Sequence, residues 1–262
     1  MTRLVMESLD NADPRVLRGI EYVLTDVDDT LTSRGRLRGE TLDALDRLRR
    51  AGIRITPVTA ASAGWCNLMI HMWPIEAVIA ENGGLYFLRG PDGKVTRRRW
   101  AAETNLRPQL DDLADRLIAA FPQLVTADDQ PYRETSVAFL RGDSEMDRAV
   151  IAVAHGLGAS ATLNSLWIIC WLGEYDKLAM AQRLFSEAYG LGLEQLRDHV
   201  FYVGDSENDE PMFRFFPYSA GVATVVDRPL RYWPRWLCRG AGGEGFVEVA
   251  DKILVSRTQA PN

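Results

Sequence analysis

Short apolar runs alternate along this chain with segments of helical period. A buried strand is expected over 21–28, carrying the run Tyr22-Val23-Leu24. Leu42, Leu45 and Leu48 recur at helical spacing within a helix expected over 39–51, and Gly52 supplies a stop. A second strand is expected over 53–59 despite Pro57, then a helix over 62–72 halted by Pro74. A third strand over 77–80 runs into the turn Asn82-Gly83-Gly84. Strands alternating with helices imply an α/β fold with a doubly wound, Rossmann-like parallel sheet. Residues 1–20 lack this rhythm and read as a loosely ordered lead-in.

After residue 84 the rhythm changes. Apolar runs over 85–88 and 95–100 flank Gly90-Pro91-Asp92-Gly93, the pattern of a hairpin. A helix over 108–120, a strand over 135–140, a helix over 146–155 and a strand over 166–172 follow. Residues 85–172 are therefore expected to form an inserted α+β domain, leaving 1–84 and 173–262 as a discontinuous core. The first rhythm resumes with a helix over 177–189, a strand over 199–203, a short helix from Asn208, a strand near 221–226 and a closing helix over 247–254.

Composition narrows the function classes. The 262 residues suffice for one large domain or two smaller ones. A net charge of −6 argues against a nucleic-acid groove, and Arg97-Arg98-Arg99 reads as a solvated strand edge. Three scattered cysteines and three scattered histidines offer neither a disulfide framework nor a zinc knuckle. No signal-like apolar segment opens the chain, and no apolar run reaches the length of a membrane span, so a cytoplasmic location is expected. The 30 basic residues include only three lysines, Lys94, Lys177 and Lys252. In so arginine-rich a chain, a retained lysine can mark a site that needs a compact ammonium.

Two acidic clusters follow apolar strands. Asp26-Val27-Asp28-Asp29-Thr30 leaves the first strand, and Gly204-Asp205-Ser206-Glu207-Asn208-Asp209 leaves the strand near 200. In open α/β sheets ligands bind in the crevice at the carboxyl ends of strands. Paired acids there are costly unless a cation or a reaction needs them. Turn formation and helix capping are the competing explanation for each cluster, yet capping does not explain why both stand at strand ends. Hard oxygen ligands in such clusters suit Mg²⁺. Thr59, ahead of Ala60-Ala61-Ser62, offers a hydroxyl near a helix N-terminus, a seat for phosphate. Lys177 opens the helix after the insert and can neutralise phosphate charge. The inventory is that of phosphoryl transfer through an aspartyl phosphate.

The ordered set Asp26-x-Asp28-x-Thr30, Thr59, Lys177 and Gly204-Asp205-x-x-Asn208-Asp209 resembles the four motifs of haloacid dehalogenase-superfamily phosphatases. The long insert, with Glu81-Asn82-Gly83-Gly84 before it, is similar to the subfamily with a C2B cap, which includes Cof-type, sucrose-phosphate, trehalose-phosphate and mannosylglycerate-type phosphatases. The resemblance covers nearly the whole chain from about residue 20. It implies a Mg²⁺-dependent phosphatase of a small phosphorylated metabolite, a sugar phosphate first. By it, Asp26 is the nucleophile and Asp28 the acid and base. Mg²⁺ is held by Asp26, the Asp28 carbonyl and Asp205, with Asp209 acting on the water shell or on Lys177. Thr59 and Lys177 hold the phosphoryl oxygens. Thr30, Asn82, Asn208 and, from the insert, Arg133 are the candidate substrate contacts.

The chain departs from that pattern where Ala60-Ala61 replaces the frequent Gly-Arg and where Leu178 follows Lys177. Within the insert, Arg133 or Glu134 can meet a sugar hydroxyl or pair inside the cap, and Trp171 or Tyr175 can stack on a sugar or fill a core. Tyr232-Trp233-Pro234-Arg235-Trp236 is either packing or a contact patch. A phosphomutase on the same core, a receiver-type phosphoacceptor and a catalytically dead phosphosugar sensor are the alternatives. Asp28 and the large insert count against the receiver, and the intact acidic set against the sensor.

Overall fold

The computed structural model describes residues 6–101, 106–164 and 166–258. The first part of the chain runs β1 (Glu7–Ser8), α1 (Pro14–Arg18), β2 (Tyr22–Thr25), the small hairpin β3 (Thr32–Ser33) and β4 (Arg36–Leu37), α2 (Gly39–Arg50), β5 (Arg54–Pro57), α3 (Ala63–Met72) and β6 (Ala77–Ala80). Next come β7 (Leu85–Arg89), β8 (Val95–Arg99), α4 (Leu106–Ala120), β9 (Ser136–Leu140), α5 (Ser144–Gly156), β10 (Ser160–Leu163) and β11 (Trp167–Trp171). The last part holds α6 (Lys177–Tyr189), α7 (Leu193–His199), β12 (Val200–Gly204), α8 (Glu210–Phe215), β13 (Ser219–Gly221), β14 (Trp236–Leu237) and α9 (Gly243–Thr258).

The central sheet has the order β1-β14-β13-β12-β2-β5, every neighbouring pair parallel. Successive side chains of a strand point to opposite faces, and here both faces are covered. Val23, Ile55, Phe201 and Val203 pack on one face with residues of α2, α3 and α9. Tyr22, Leu24, Val200 and Tyr202 pack on the other with residues of α6, α7 and α8. Every residue of β2 and β12 is buried, as a strand covered on both faces requires. The sequence after β2 builds β5 on one side, and the later strand β12 lies on the other. The order therefore reverses at β2, and this is where a crevice opens beyond the strand ends.

Three expectations need correction, one being the strand near 221–226, where β13 ends at Gly221 and a 3-10 helix takes Ala223–Asp227. Residues 6–20 are not a loose lead-in: β1 pairs with β14, and Leu17 and Ile20 are fully buried. Residues 1–5 lie outside the described residues. The strand expected over 21–28 ends at Thr25, so Asp26 and Asp28 both stand in the loop beyond it.

The hairpin β7–β8 forms where the turn signal placed it, and β7 pairs antiparallel with β6. An isolated parallel bridge, Val58 to Ile79, ties β6 toward β5. Leu85 and Phe87 pack in the same cluster as Val23 and Ile55. By hydrogen bonding and burial, then, the hairpin attaches to the core strands. The second layer is the antiparallel sheet β10-β11-β9. Val137, Phe139, Ile168 and Cys170 pack with residues of α4 and α5. The alternate residues Ala138, Ile169 and Trp171 pack instead with Tyr175 and with Ala60, beside Thr59. One face of the insert's sheet thus lies against the loop after Thr59.

Candidate active site

The pairing of β12 with β2 sets Val203 against Thr25, and that of β2 with β5 sets Thr25 against Pro57. Asp205, Asp26 and Thr59 follow these strand ends within two residues, so three motifs far apart in sequence meet in space. A carboxylate oxygen each from Asp26, Asp205 and Asp209 lies within 4.8 Å of the others, all three residues buried.

Lys177 joins this group from the first turn of α6, whose N-cap Asp176 accepts a hydrogen bond from the Ala179 amide. The fully buried ammonium donates to Asp26 Oδ1 at 2.6 Å and to Asp209 Oδ1 at 2.7 Å. Burial works against the charge on Lys177, but Asp209 and Asp26 outweigh it and the net shift is upward. Asp26 is pushed well above the usual carboxylate range by burial, against the attraction of Lys177. Burial raises Asp205 to about 7, with Asp209 adding repulsion and Arg228 opposing it. Asp28 is raised to about 6 by burial, Lys177 pulling the other way. A carboxyl that titrates there can reach the site protonated and can later act as a base.

Asp209 has both oxygens engaged. Oδ1 accepts from Lys177 and, at 2.5 Å, from the Tyr202 hydroxyl; Oδ2 accepts from the amides of Asp205 and Ser206 at 2.9 and 3.1 Å. Four donors fix this carboxylate as the brace of the loop. Gly204 is needed here, since a Cβ would fall 2.5 Å from Asp209 Oδ2. Asp205 carries fewer protein contacts: Thr30 Oγ1 donates to Oδ1 at 3.4 Å and Arg228 Nη2 to Oδ2 at 3.1 Å.

Thr59 Oγ1 accepts from the Ala61 amide at 3.0 Å, which bends the chain into α3. Ser62, the N-cap residue of α3, is buried, and its hydroxyl has no hydrogen-bond partner among the described residues. An orphaned buried hydroxyl beside a helix N-terminus fits a seat for an anion. Asn208 accepts at Oδ1 from Ser206 Oγ and donates from Nδ2 to Asn82 Oδ1 at 3.5 Å, so Asn82 and Asn208 meet across the site.

Of the two readings open for Arg133, a sugar contact or a pair inside the cap, the structure forms the pair. Its side chain is buried, it pairs with Asp129 through Nε and Nη2 at 2.9 Å each, and Nη1 donates to the Ala60 carbonyl and Ser136 Oγ. Its guanidinium also stacks on Trp167. With its donors so engaged, Arg133 is a brace between the insert and the loop after Thr59, not a free contact for a sugar. Glu134 pairs with Arg97 and Arg99. Trp171 and Tyr175 are core: Trp171 Nε1 donates to the Tyr175 carbonyl, and the Tyr175 hydroxyl to the Thr135 carbonyl. In the aromatic run, Trp236 is buried and stacked on Phe201, whereas Tyr232 is exposed.

Three residues here escaped the motif pattern, and a fourth, Glu81, entered it only through the run Glu81-Asn82-Gly83-Gly84, with no role assigned. Tyr202 lies inside β12 and looks like any strand aromatic, and Arg228 is one arginine among many. Ser62 reads as a cap. Glu81 reads as part of a turn, yet its fully buried carboxylate accepts five hydrogen bonds, from the amides of Ala63, Glu134 and Thr135 and the hydroxyls of Thr135 and Ser136.

The acidic triad presents the hard oxygen donors that a divalent cation takes. No family model matches the chain. It is 29% identical over 217 residues to a phosphoglycolate phosphatase of Thermoplasma volcanium, covering 79% of this chain and 87% of the relative. It is 27% identical over 247 residues to a phosphoglycolate phosphatase of Pyrobaculum neutrophilum, covering 93% and 100%. Its fold matches that of a Bacteroides thetaiotaomicron phosphatase of the HAD superfamily, with a TM-score of 0.64 at 20% identity over 94% of this chain and 99% of that one. Motif order and fold agree with these likenesses: the chain has the fold of haloacid dehalogenase-superfamily phosphatase structures, and the curated proteins it resembles are phosphoglycolate phosphatases.

Proposed function

We propose that this chain hydrolyses a small phosphorylated metabolite through a phosphoaspartate on Asp26, in a Mg²⁺-dependent reaction. The observation that carries the reading is the buried bridge from Lys177 to Asp26 and Asp209, beside Asp205. A lysine sealed between two carboxylates is costly to bury, and packing alone does not call for it. Asp26 Oδ attacks phosphorus and the ester oxygen leaves with the proton of Asp28. Asp28, then a carboxylate, takes a proton from water as that water attacks the phosphoaspartate, which frees phosphate and regenerates Asp26. Thr59, Ser62 and the start of α3 receive the phosphoryl oxygens with Lys177. Asp26, the Asp28 carbonyl and Asp205 would hold the Mg²⁺, which supplies charge neutralisation for the phosphoryl group when bound. Asp209, its oxygens taken by four donors, orients Lys177 and the loop.

The insert, with its sheet face over Ala60, is proposed as the cap that selects the leaving group, and Asn82, Asn208 and Thr30 as polar contacts near it. The resemblance to C2B phosphatases favours a sugar phosphate. The two phosphoglycolate phosphatases among the relatives favour a smaller, carboxylated ester. A cytoplasmic setting is kept as part of the proposal. Among the described residues no helix is long and apolar enough to cross a membrane.

The test is phosphate release from a panel of sugar phosphates, phosphoglycolate and nucleotides, with Mg²⁺ or EDTA, for the native chain and Asp26→Asn. Release that needs the metal and is lost in Asp26→Asn bears the reading out, and the best ester names the work of the insert. Undiminished release by Asp26→Asn sinks it, and a requirement for a bisphosphate activator turns it into a mutase.

A further inference from the structure

Arg228 follows the 3-10 helix Ala223–Asp227, just after β13. Gly221 lets that turn pack closely, since a Cβ there would fall 2.5 Å from Val225 Cγ1. The turn delivers the guanidinium to Asp205, where Nη2 donates to Oδ2 at 3.1 Å while Oδ1 meets the Thr30 hydroxyl. Arg228 Nε is buried and has no acceptor among the described residues. A cation so poorly served elsewhere is held here by the charge of its neighbour.

Lys177 neutralises the other two members of the triad, Asp26 and Asp209. Arg228 answers the third, Asp205. We propose that Arg228 is a built-in counter-ion that competes with the divalent cation for Asp205 and so sets how tightly the site is loaded. The inference rests on the metal reading above. Without the ion, Arg228 keeps a buried carboxylate from standing unpaired. With the ion, a guanidinium beside one ligand oxygen repels the incoming charge. The same residue therefore steadies the empty protein and weakens loading. A merely structural brace has the opposite signature, because its loss would disorder Asp205 and loosen the ion.

The experiment is a calorimetric titration of Mg²⁺, with no substrate, into the native chain, Arg228→Gln and Arg228→Lys, each stripped with EDTA, alongside thermal unfolding in EDTA. Arg228→Gln is expected to bind Mg²⁺ about tenfold tighter and to melt earlier in EDTA. Arg228→Lys, which keeps the charge, is expected to stay within about threefold of native affinity. Should Arg228→Gln not stay folded when stripped, it is purified in Mg²⁺ and titrated with EDTA, following tryptophan fluorescence; needing more chelator than native then supports the proposal. Equal or weaker Mg²⁺ binding by folded Arg228→Gln overturns it. Absence of Mg²⁺ binding by the native chain overturns the metal reading and this inference together.

Discussion

Tyr202 shows how a strand residue becomes part of a site. It points to the face packed by α6 and α8, as strand alternation requires, and its hydroxyl ends 2.5 Å from Asp209 Oδ1. A buried tyrosine needs a partner for its hydroxyl, and here the partner is the carboxylate that holds Lys177. Tyr202→Phe removes one of four donors to Asp209, and a hydrogen bond to a charged group contributes roughly 1.5–3 kcal/mol. The variant is expected to lose about that much unfolding free energy in a denaturant titration and to retain turnover reduced by roughly tenfold. Lys177→Met, which strands two buried carboxylates, is expected to lose about 3–5 kcal/mol and nearly all turnover. Equal turnover in the two variants would show that the hydroxyl does more than position the lysine. Asp26, Asp28, Asp205 and Asp209 stood out in the sequence because clustered acids are unusual at strand ends, Lys177 because lysine is scarce in this chain, and Thr59 only in company with them. Tyr202 was not, because a buried aromatic in a strand carries no mark of what its hydroxyl meets. Arg133 carried two readings in the sequence, and the pair it forms with Asp129, four residues earlier, is one of them; what the sequence did not carry is that the pair would be buried.

Among the elements, the junction after β6 decides how the insert sits on the core. Glu81 and Asn82 both adopt left-handed backbone, φ +48° and +57°, which side chains rarely tolerate without compensation. The compensation is the Glu81 carboxylate itself, which draws the start of α3 and the start of β9 to one point through its five donors. Gly84 seals the same place, since a Cβ there would lie 1.9 Å from Thr135 Oγ1. Glu81→Gln puts an amide, itself a donor, among groups that can only donate or already do. It is expected to cost on the order of 3 kcal/mol and to raise hydrogen exchange at residues 134–136 more than in α2. Unchanged protection there would mean that packing, not this carboxylate, sets the junction. The strong helices α2, α3 and α6 were readable from period and stops. The strand β10 was not, because all four of its residues are only partly buried and show no alternation of core and solvent. Nor was β14, whose two residues gain their place from pairing with β13 and β1. Such strands exist by virtue of distant partners, and a linear pattern does not carry them.

At the scale of the whole molecule, the buried acids make stability depend on protons and on the metal at once. The parallel rhythm foretold a crevice at the strand ends; it did not foretell that Asp26 and Asp205 would be sealed from water, which depends on tertiary packing around them. In the metal-free protein Asp205 titrates at about 7 and Asp28 at about 6, both raised chiefly by burial, whereas unfolded carboxylates titrate near ~4. Between these values the folded chain binds more protons than the unfolded one, so stability falls as pH rises. The contribution is complete below the unfolded value and lost as pH passes through about 6 and then about 7. Asp28 is partly exposed, and water screens its share. In EDTA the melting temperature is therefore expected to climb by several degrees from about pH 7.5 to about pH 5. Asp205→Asn, which has no charge to bury, should remove its share of that slope and leave the part that the buried Asp26 and Asp28 contribute. Mg²⁺ should flatten it in the native chain from the other side, by stabilising the ionised carboxylates at the upper end of the range. A melting temperature in EDTA that is level or falls on acidification over this range would mean that the acids are already neutralised in the empty fold, with Lys177 and Arg228 sufficient for the whole cluster.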